Sequence, residues 1–290
     1  MEELVILSGK GGTGKTSLAA SFAVLSGQSV MADCDVDAAD LHLVLNPSIR
    51  VWHPFSGARE AVIRQEDCTC CGTCYDLCRF GAIKVEPGTA GEPRFTIDPF
   101  ACEGCGVCVR GCPVAAVDLL PKESGDWMVS DTSAGPLVHA RLGVAAENSG
   151  KLVSIVRQEA RRLANEQGRR LVIVDGPPGI GCPAIASVTG ASKAVVVTEP
   201  TLSGEHDMER VLALLRHFSI PSWVCVNKWD LNPEMTQRIE DRARAAKATI
   251  AGRIRYDRAV TDSQMRQRAV VEDRSQAARD IESVWARISN

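Results

Sequence analysis

Leu4-Val5-Ile6-Leu7-Ser8-Gly9-Lys10-Gly11-Gly12-Thr13-Gly14-Lys15-Thr16 decides the fold. Four consecutive apolar residues, cut off by Ser8-Gly9, read as a buried strand of a parallel sheet. Gly9 to Thr16 then fits G-x-x-x-x-G-K-[ST], and the following residues read as a helix. The glycines let backbone N–H groups close around phosphate oxygens, and a helix opening near Gly14 adds its positive end. Lys15 is placed to reach the β- and γ-phosphates, and Thr16 to offer its hydroxyl to Mg²⁺. Gly11, Gly12, Thr13, Gly14, Lys15, Thr16 and Ser17 are therefore the candidate nucleotide-binding residues. A strand before the loop and a helix after it separate this reading from an ordinary glycine turn.

The same alternation continues outward. Residues 29–32 read as a second strand ending at Asp33-Cys34-Asp35, which completes a strand–loop–helix–strand unit. Further strands are expected at 171–174, 194–198, 223–226 and 249–254, with extended stretches at 127–130 and 137–146. Helices are expected at 149–167, 207–218, 233–246 and 277–288; in the first, Leu152, Ile155, Val156, Ala160 and Leu163 share one face. The fold class is thus α/β, a mostly parallel, doubly wound sheet. Its strands deliver Gly9, Asp35, Asp175, Glu199 and Asn227 at their carboxyl ends, where open α/β sheets bind ligands.

Of the 290 residues 45% are hydrophobic and 24% charged, ordinary for a globular protein with ample core. A net charge of −3 gives no reason to expect nucleic acid or an anionic membrane as partner. No signal-like core follows Met1, and no apolar run reaches membrane-spanning length. The expectation is a cytoplasmic, reducing setting without a stable membrane anchor, in which cysteines bind metal rather than form disulfides.

Twelve cysteines are many for such a chain, and eight fall between Cys68 and Cys112. They read Cys68-x-x-Cys71-x-x-Cys74-x-x-x-Cys78 and Cys102-x-x-Cys105-x-x-Cys108-x-x-x-Cys112-Pro113. Gly81-Ala82-Ile83 and Ala115-Ala116-Val117 repeat after each run. This resembles the two-cluster bacterial ferredoxins, in which the fourth cysteine of each run serves the other cluster. The resemblance implies one [4Fe–4S] cluster on Cys68, Cys71, Cys74 and Cys112, and a second on Cys102, Cys105, Cys108 and Cys78. Residues 53–125 would then be an inserted ferredoxin-like domain, splitting an ATPase domain into 1–52 and 126–290. Arg79 departs from the pattern, which expects proline after Cys78; it either faces water or raises a cluster potential. Cys70 is surplus and could substitute as a ligand. A Cys₄ zinc site made from two C-x-x-C pairs is the alternative use of these thiols.

Lys10, early in the glycine loop, resembles the second lysine of the MinD/Mrp/nitrogenase-iron-protein ATPases. Three further segments carry the likeness: Val30-Met31-Ala32-Asp33-Cys34-Asp35, Leu171-Val172-Ile173-Val174-Asp175-Gly176-Pro177-Pro178-Gly179 and Pro200-Thr201-Leu202-Ser203-Gly204. Glu147-Asn148-Ser149-Gly150-Lys151 is a fourth. It covers residues 1–46 and about 126–290. It implies that Lys10 reaches a partner subunit's nucleotide, that Asp35 orients the attacking water and helps hold Mg²⁺, and that Asp175 binds Mg²⁺ through water. Gly176 or Gly179 would sense the γ-phosphate. Asp37 and Asp40 either share the task of Asp35 or cap a helix. Asn227 would contact adenine and Lys228 would lie beside it, although Asn227-Lys228-Trp229-Asp230 also resembles the guanine-reading string of GTPases. Cys182, seven residues past Asp175, either meets its mate across a dimer to share a metal or is a core cysteine, as Cys34 and Cys225 are expected to be.

The likeness implies an ATPase forming a homodimer, or a heterodimer with a paralogue. Its ATP binding would gate electron transfer through the two clusters to a redox or metallocluster partner. The alternatives are an Mrp-like cluster carrier and a MinD-like positioning ATPase with redox-sensing clusters. The terminal helix, with Ile281, Val284 and Ile288 on one side, is expected to dock on the sheet rather than on a membrane.

Overall fold

The structure, a computed structural model, describes residues 1–88, 91–143 and 150–289. Residues 147–149 of the motif ending at Lys151, and the end of the stretch expected to be extended over 137–146, lie outside them. In chain order the elements are β1 (Glu2–Ser8), α1 (Lys15–Ser26), β2 (Ser29–Asp33), α2 (Leu41–Leu45), β3 (Ser48–Phe55) and β4 (Ala58–Ile63). There follow α3 (Thr73–Leu77), β5 (Ile83–Pro87), β6 (Pro93–Ile97), α4 (Val107–Gly111) and β7 (Val117–Lys122). The middle of the chain forms β8 (Gly125–Thr132), β9 (Gly135–Leu142), α5 (Lys151–Glu166), β10 (Leu171–Pro178), α6 (Cys182–Val188) and β11 (Lys193–Thr198). The last part forms α7 (Leu202–His217), β12 (Ser222–Asn227), α8 (Pro233–Ala245), β13 (Thr249–Ile254), α9 (Ala259–Met265) and α10 (Gln276–Ile288).

The chain divides into two compact units, one of Met1–His53, Asp126–Leu142 and Asn148–Asn290, the other of Pro54–Gly125 and Gly143–Glu147. The first is built on a nine-stranded sheet in the order β13-β12-β11-β1-β10-β2-β9-β8-β3. β1 pairs in parallel with both β10 and β11, and the parallel run extends through β12 to β13 on one side and through β2 to β9 on the other. This is the expected α/β class with a mostly parallel sheet. The central strands are apolar on both faces because helices cover both, so Leu4, Val5, Ile6, Val172 and Val195 are all fully buried. Leu18 and Phe22 of α1 and Ile281, Val284 and Ile288 of α10 join the same core, so the last helix docks on the sheet as expected.

Two differences from the sequence reading have a clear local cause. No strand was expected between 32 and 127 outside the cysteine-rich stretch, but Ser48–Phe55 forms β3, the edge strand of the large sheet. Seven of its eight residues are exposed, so it carries no burial rhythm to read. α7 starts at Leu202, ahead of the expected 207, because the Thr201 hydroxyl accepts the Gly204 N–H at 3.0 Å and caps it.

The second unit repeats itself with an offset of 34 residues. β4 pairs antiparallel with β7, and β6 with β5. The Arg64 N–H donates to the Ala116 carbonyl and the Asp98 N–H to the Ala82 carbonyl, both at 2.8 Å. Left-handed backbone recurs at the same steps, Cys70 with Gly104, Gly72 with Gly106 and Gly81 with Ala115. Ala61, Ile63, Ile83, Phe95 and Val117 form its small apolar core around the cysteines.

Candidate functional site

Because β1 lies between two parallel neighbours, three strands end side by side beneath the glycine loop. In register, Ile6 faces Asp175 on β10, and Asp175 faces Asp33 on β2. The loop turns into α1 at Gly14, whose φ of 92° is left-handed and which offers no side-chain cap. The first amides of α1 are thus open to an anion, reinforced by the helix dipole. A Cβ at Gly14 would lie 2.5 Å from Asn227 Nδ2, and that amide donates to the Thr13 carbonyl at 2.8 Å. Asn227 therefore braces the loop.

A cleft of about 750 Å³ opens above the loop, lined by Gly11, Gly12, Gly14, Lys15, Thr16 and Ser17 on one side and by Asp35, Asp37 and Asp40 on another. Pro177, Pro178 and Gly181 close it. Lys15 is buried, and its ammonium lies 3.5 Å from Asp35 Oδ2. Burial pushes the Asp35 carboxyl up, opposed by Lys15. Asp175 is fully buried, and neither carboxylate oxygen has a hydrogen-bond partner. Burial pushes it up to about 7, opposed by the Lys15 ammonium and the nearby Thr16 hydroxyl. The Thr13 hydroxyl is likewise buried without a partner. Orphaned buried acceptors of this kind are costly unless a cation or its water meets them. The residues present fit a nucleotide phosphate with a divalent cation.

Several contributors went unread in the sequence. Asp33 is buried and holds the loop after β2, accepting the Asp35 N–H at 3.2 Å and the Leu41 N–H at 3.1 Å. Burial and the neighbouring Asp175 push its carboxyl well above the usual range. The repeated acid in Asp33-Cys34-Asp35 was the available signal. Gln264 of α9 donates to Ser17 Oγ at 2.8 Å, so Ser17 is engaged from a distant segment. Asp40 stands at the N-cap of α2 but makes no cap bond, so of its two readings the helix cap does not hold.

Lys10 does not line the cleft. Its ammonium lies 3.1 Å from Glu199 Oε2, while Lys228 donates to Glu199 Oε1 at 2.5 Å. Burial would raise the Glu199 carboxyl, but the Lys228 and Lys10 ammonium groups hold it below the usual range. Asp230 accepts the Tyr256 N–H at 2.7 Å.

In the second unit Cys68, Cys71, Cys74 and Cys112 line one small hollow, with Ile63, Phe95 and Val117. Cys78, Cys102, Cys105 and Cys108 line another, with Ile83, Ile97 and Leu77. Each hollow thus draws three thiols from one run and the fourth from the other. Four thiols beside an apolar lining fit the ligand set of one cluster in each hollow, with Cys71 and Cys105 on the exposed side. Among the described residues no three His, Cys, Asp or Glu side chains converge as ligands of a lone ion. Cys70 lines neither hollow, and Arg79 is exposed. Cys182 is exposed at the start of α6, so the core reading fails there. Cys34 and Cys225 are buried as expected; burial pushes both thiols up, Cys225 to about 12.

Comparison with known proteins bears on the family and the fold. Residues 4–270 match the model of the CobQ/CobB/MinD/ParA nucleotide binding domain. An uncharacterised protein of Methanocaldococcus jannaschii is 34% identical over 79% of both chains. The septum site-determining protein MinD of Pyrococcus horikoshii, solved with Mg-ADP, is similar in fold at a TM-score of 0.61 and 16% identity, covering 100% of this chain and 96% of that one. A 31-residue stretch is 55% identical to half of an uncharacterised ferredoxin of M. jannaschii. No described helix is long and apolar enough to cross a membrane. The chain belongs to the CobQ/CobB/MinD/ParA nucleotide-binding domain family.

Proposed function

We propose that this chain is an ATP-hydrolysing iron–sulfur protein in which nucleotide-dependent dimerisation gates electron transfer through two [4Fe–4S] clusters. The observation that carries the reading is the sorting of eight cysteines into two hollows, three from one run and one from the other in each. The ferredoxin-like stretch supports it, on a chain whose family is nucleotide-binding.

The phosphates would rest on the open amides after Gly14 and against Lys15, which leaves Asp35 to meet them. Thr16 and Asp175 would hold Mg²⁺, which when bound neutralises charge building on the phosphate oxygens. Asp35, freed of Lys15, would orient the attacking water. Lys10 would act on a partner subunit's nucleotide, since it does not line its own cleft. The clusters, when bound, supply one-electron transfer; the apolar residues packed against the cysteines would shield their inner side. A MinD-like positioning role is the weaker reading, because the apolar side of α10 is buried in the sheet's core.

Reduced-state EPR of anaerobically prepared protein, with and without MgATP, tests the coupling. Cluster signals that shift or change in reducibility with MgATP support it, and signals identical in both states refute it.

A further inference from the structure

Glu199 directly follows β11, the strand next to the one that carries the glycine loop, and its side chain is mostly buried. Two lysines from different segments share it. Lys10 comes from the loop after β1 and is about one-third exposed, and Lys228 follows β12. Lys228 sits in left-handed backbone at φ 56°, and its ammonium donates to Glu199 Oε1. Lys10 faces the Glu199–Lys228 side of the loop and lines no part of the phosphate cleft.

The charge count makes this arrangement releasable. A lone buried carboxylate stripped of its only cation would be costly. Glu199 keeps Lys228 when Lys10 departs, so only one of two partly exposed pairs is broken, the longer one at 3.1 Å. Such a pair contributes weakly and is exchanged readily for a stronger anion. A phosphate carries more charge than Glu199 and would outcompete it.

We infer that Glu199 is a positioning residue that holds Lys10 on its own subunit until the nucleotide of a second copy draws it away. This rests on the proposed role of Lys10 across a dimer. It makes Glu199 a restraint on association, with Lys228 as the permanent partner that keeps Glu199 satisfied in both states.

The test is sedimentation equilibrium in saturating MgATP with Glu199→Gln, Lys10→Ala and the double variant. Glu199→Gln is expected to strengthen self-association by roughly two- to fivefold for each protomer, the worth of a partly exposed ion pair. In the Lys10→Ala background the same substitution is expected to change nothing, because there is no lysine to release. Lys228→Met, which leaves Glu199 to Lys10 alone, is expected to shift association the opposite way. Unchanged or weaker association of Glu199→Gln overturns the restraint, as does an equal shift in the Lys10→Ala background. If Lys10→Ala alone leaves ATP-driven association intact, the role of Lys10 across the dimer falls instead, and the restraint with it.

Discussion

Gly9 and Asp207 are in such close contact that a Cβ on Gly9 would lie 2.1 Å from the Cβ of Asp207 and 2.9 Å from its Cα. The first turns of α7 therefore lie directly on the glycine loop, and only a residue without a side chain fits between them. The neighbouring atoms are backbone and Cβ, which cannot rotate away. Gly9→Ala is expected to force α7 and the loop apart, at about 1–3 kcal/mol of stability, and to weaken nucleotide binding. Chemical denaturation with and without MgADP checks both.

The cysteines make a crossed prediction. Cys112 lies after the second run yet lines the hollow of the first, and Cys78 does the reverse. Cys112→Ser should disturb the cluster of Cys68, Cys71 and Cys74, and Cys78→Ser that of Cys102, Cys105 and Cys108. Each should remove one set of EPR signals and leave the other. Cys70→Ala should keep both, since Cys70 lines neither hollow. Loss of the signals of a variant's own run would reverse the assignment.

Base preference follows from Asp230. Its carboxylate accepts the Tyr256 N–H, and Lys228 is committed to Glu199, so the guanine-like string is engaged within the protein. ATP should bind more tightly than GTP by about tenfold or more, the worth of one ~1.4 kcal/mol contact. Competition against a fluorescent ATP analogue measures this; equal affinities would contradict it.

His139 sets a pH dependence. It lies on β9, is buried, and shares a hydrogen bond of 2.8 Å with Ser130. Burial, with His42 stacked nearby, pushes its imidazole down to about 4. The folded state then binds fewer protons than the unfolded state between about pH 4 and 6.5, so stability falls as pH drops through that window. The loss should approach about 3 kcal/mol at its acid end and be absent above the ordinary histidine range. His139→Gln should flatten the slope. An equal slope in the variant would assign it elsewhere.

What was legible in the sequence was what repeats or runs. The apolar strands showed because both faces are covered. The glycine loop showed because its spacing is tied to phosphate, and the cysteines because their 2-2-3 rhythm occurs twice. β3 stayed hidden because an exposed edge strand needs no apolar alternation. Glu199 was visible only as a polar residue at a strand end; its two lysines lie 189 residues before it and 29 after it, and only the sheet order brings them together. Asp33 read as part of a strand-end motif, but its hold on the Leu41 N–H is a tertiary fact.

The proposed function requires two iron–sulfur clusters on the same chain as the nucleotide cleft. Iron and acid-labile sulfide counted on anaerobically purified protein decide whether they are there. About eight of each per chain are expected for two [4Fe–4S] clusters. Zinc in their place, or neither metal, would contradict it and leave a nucleotide-binding protein without redox centres.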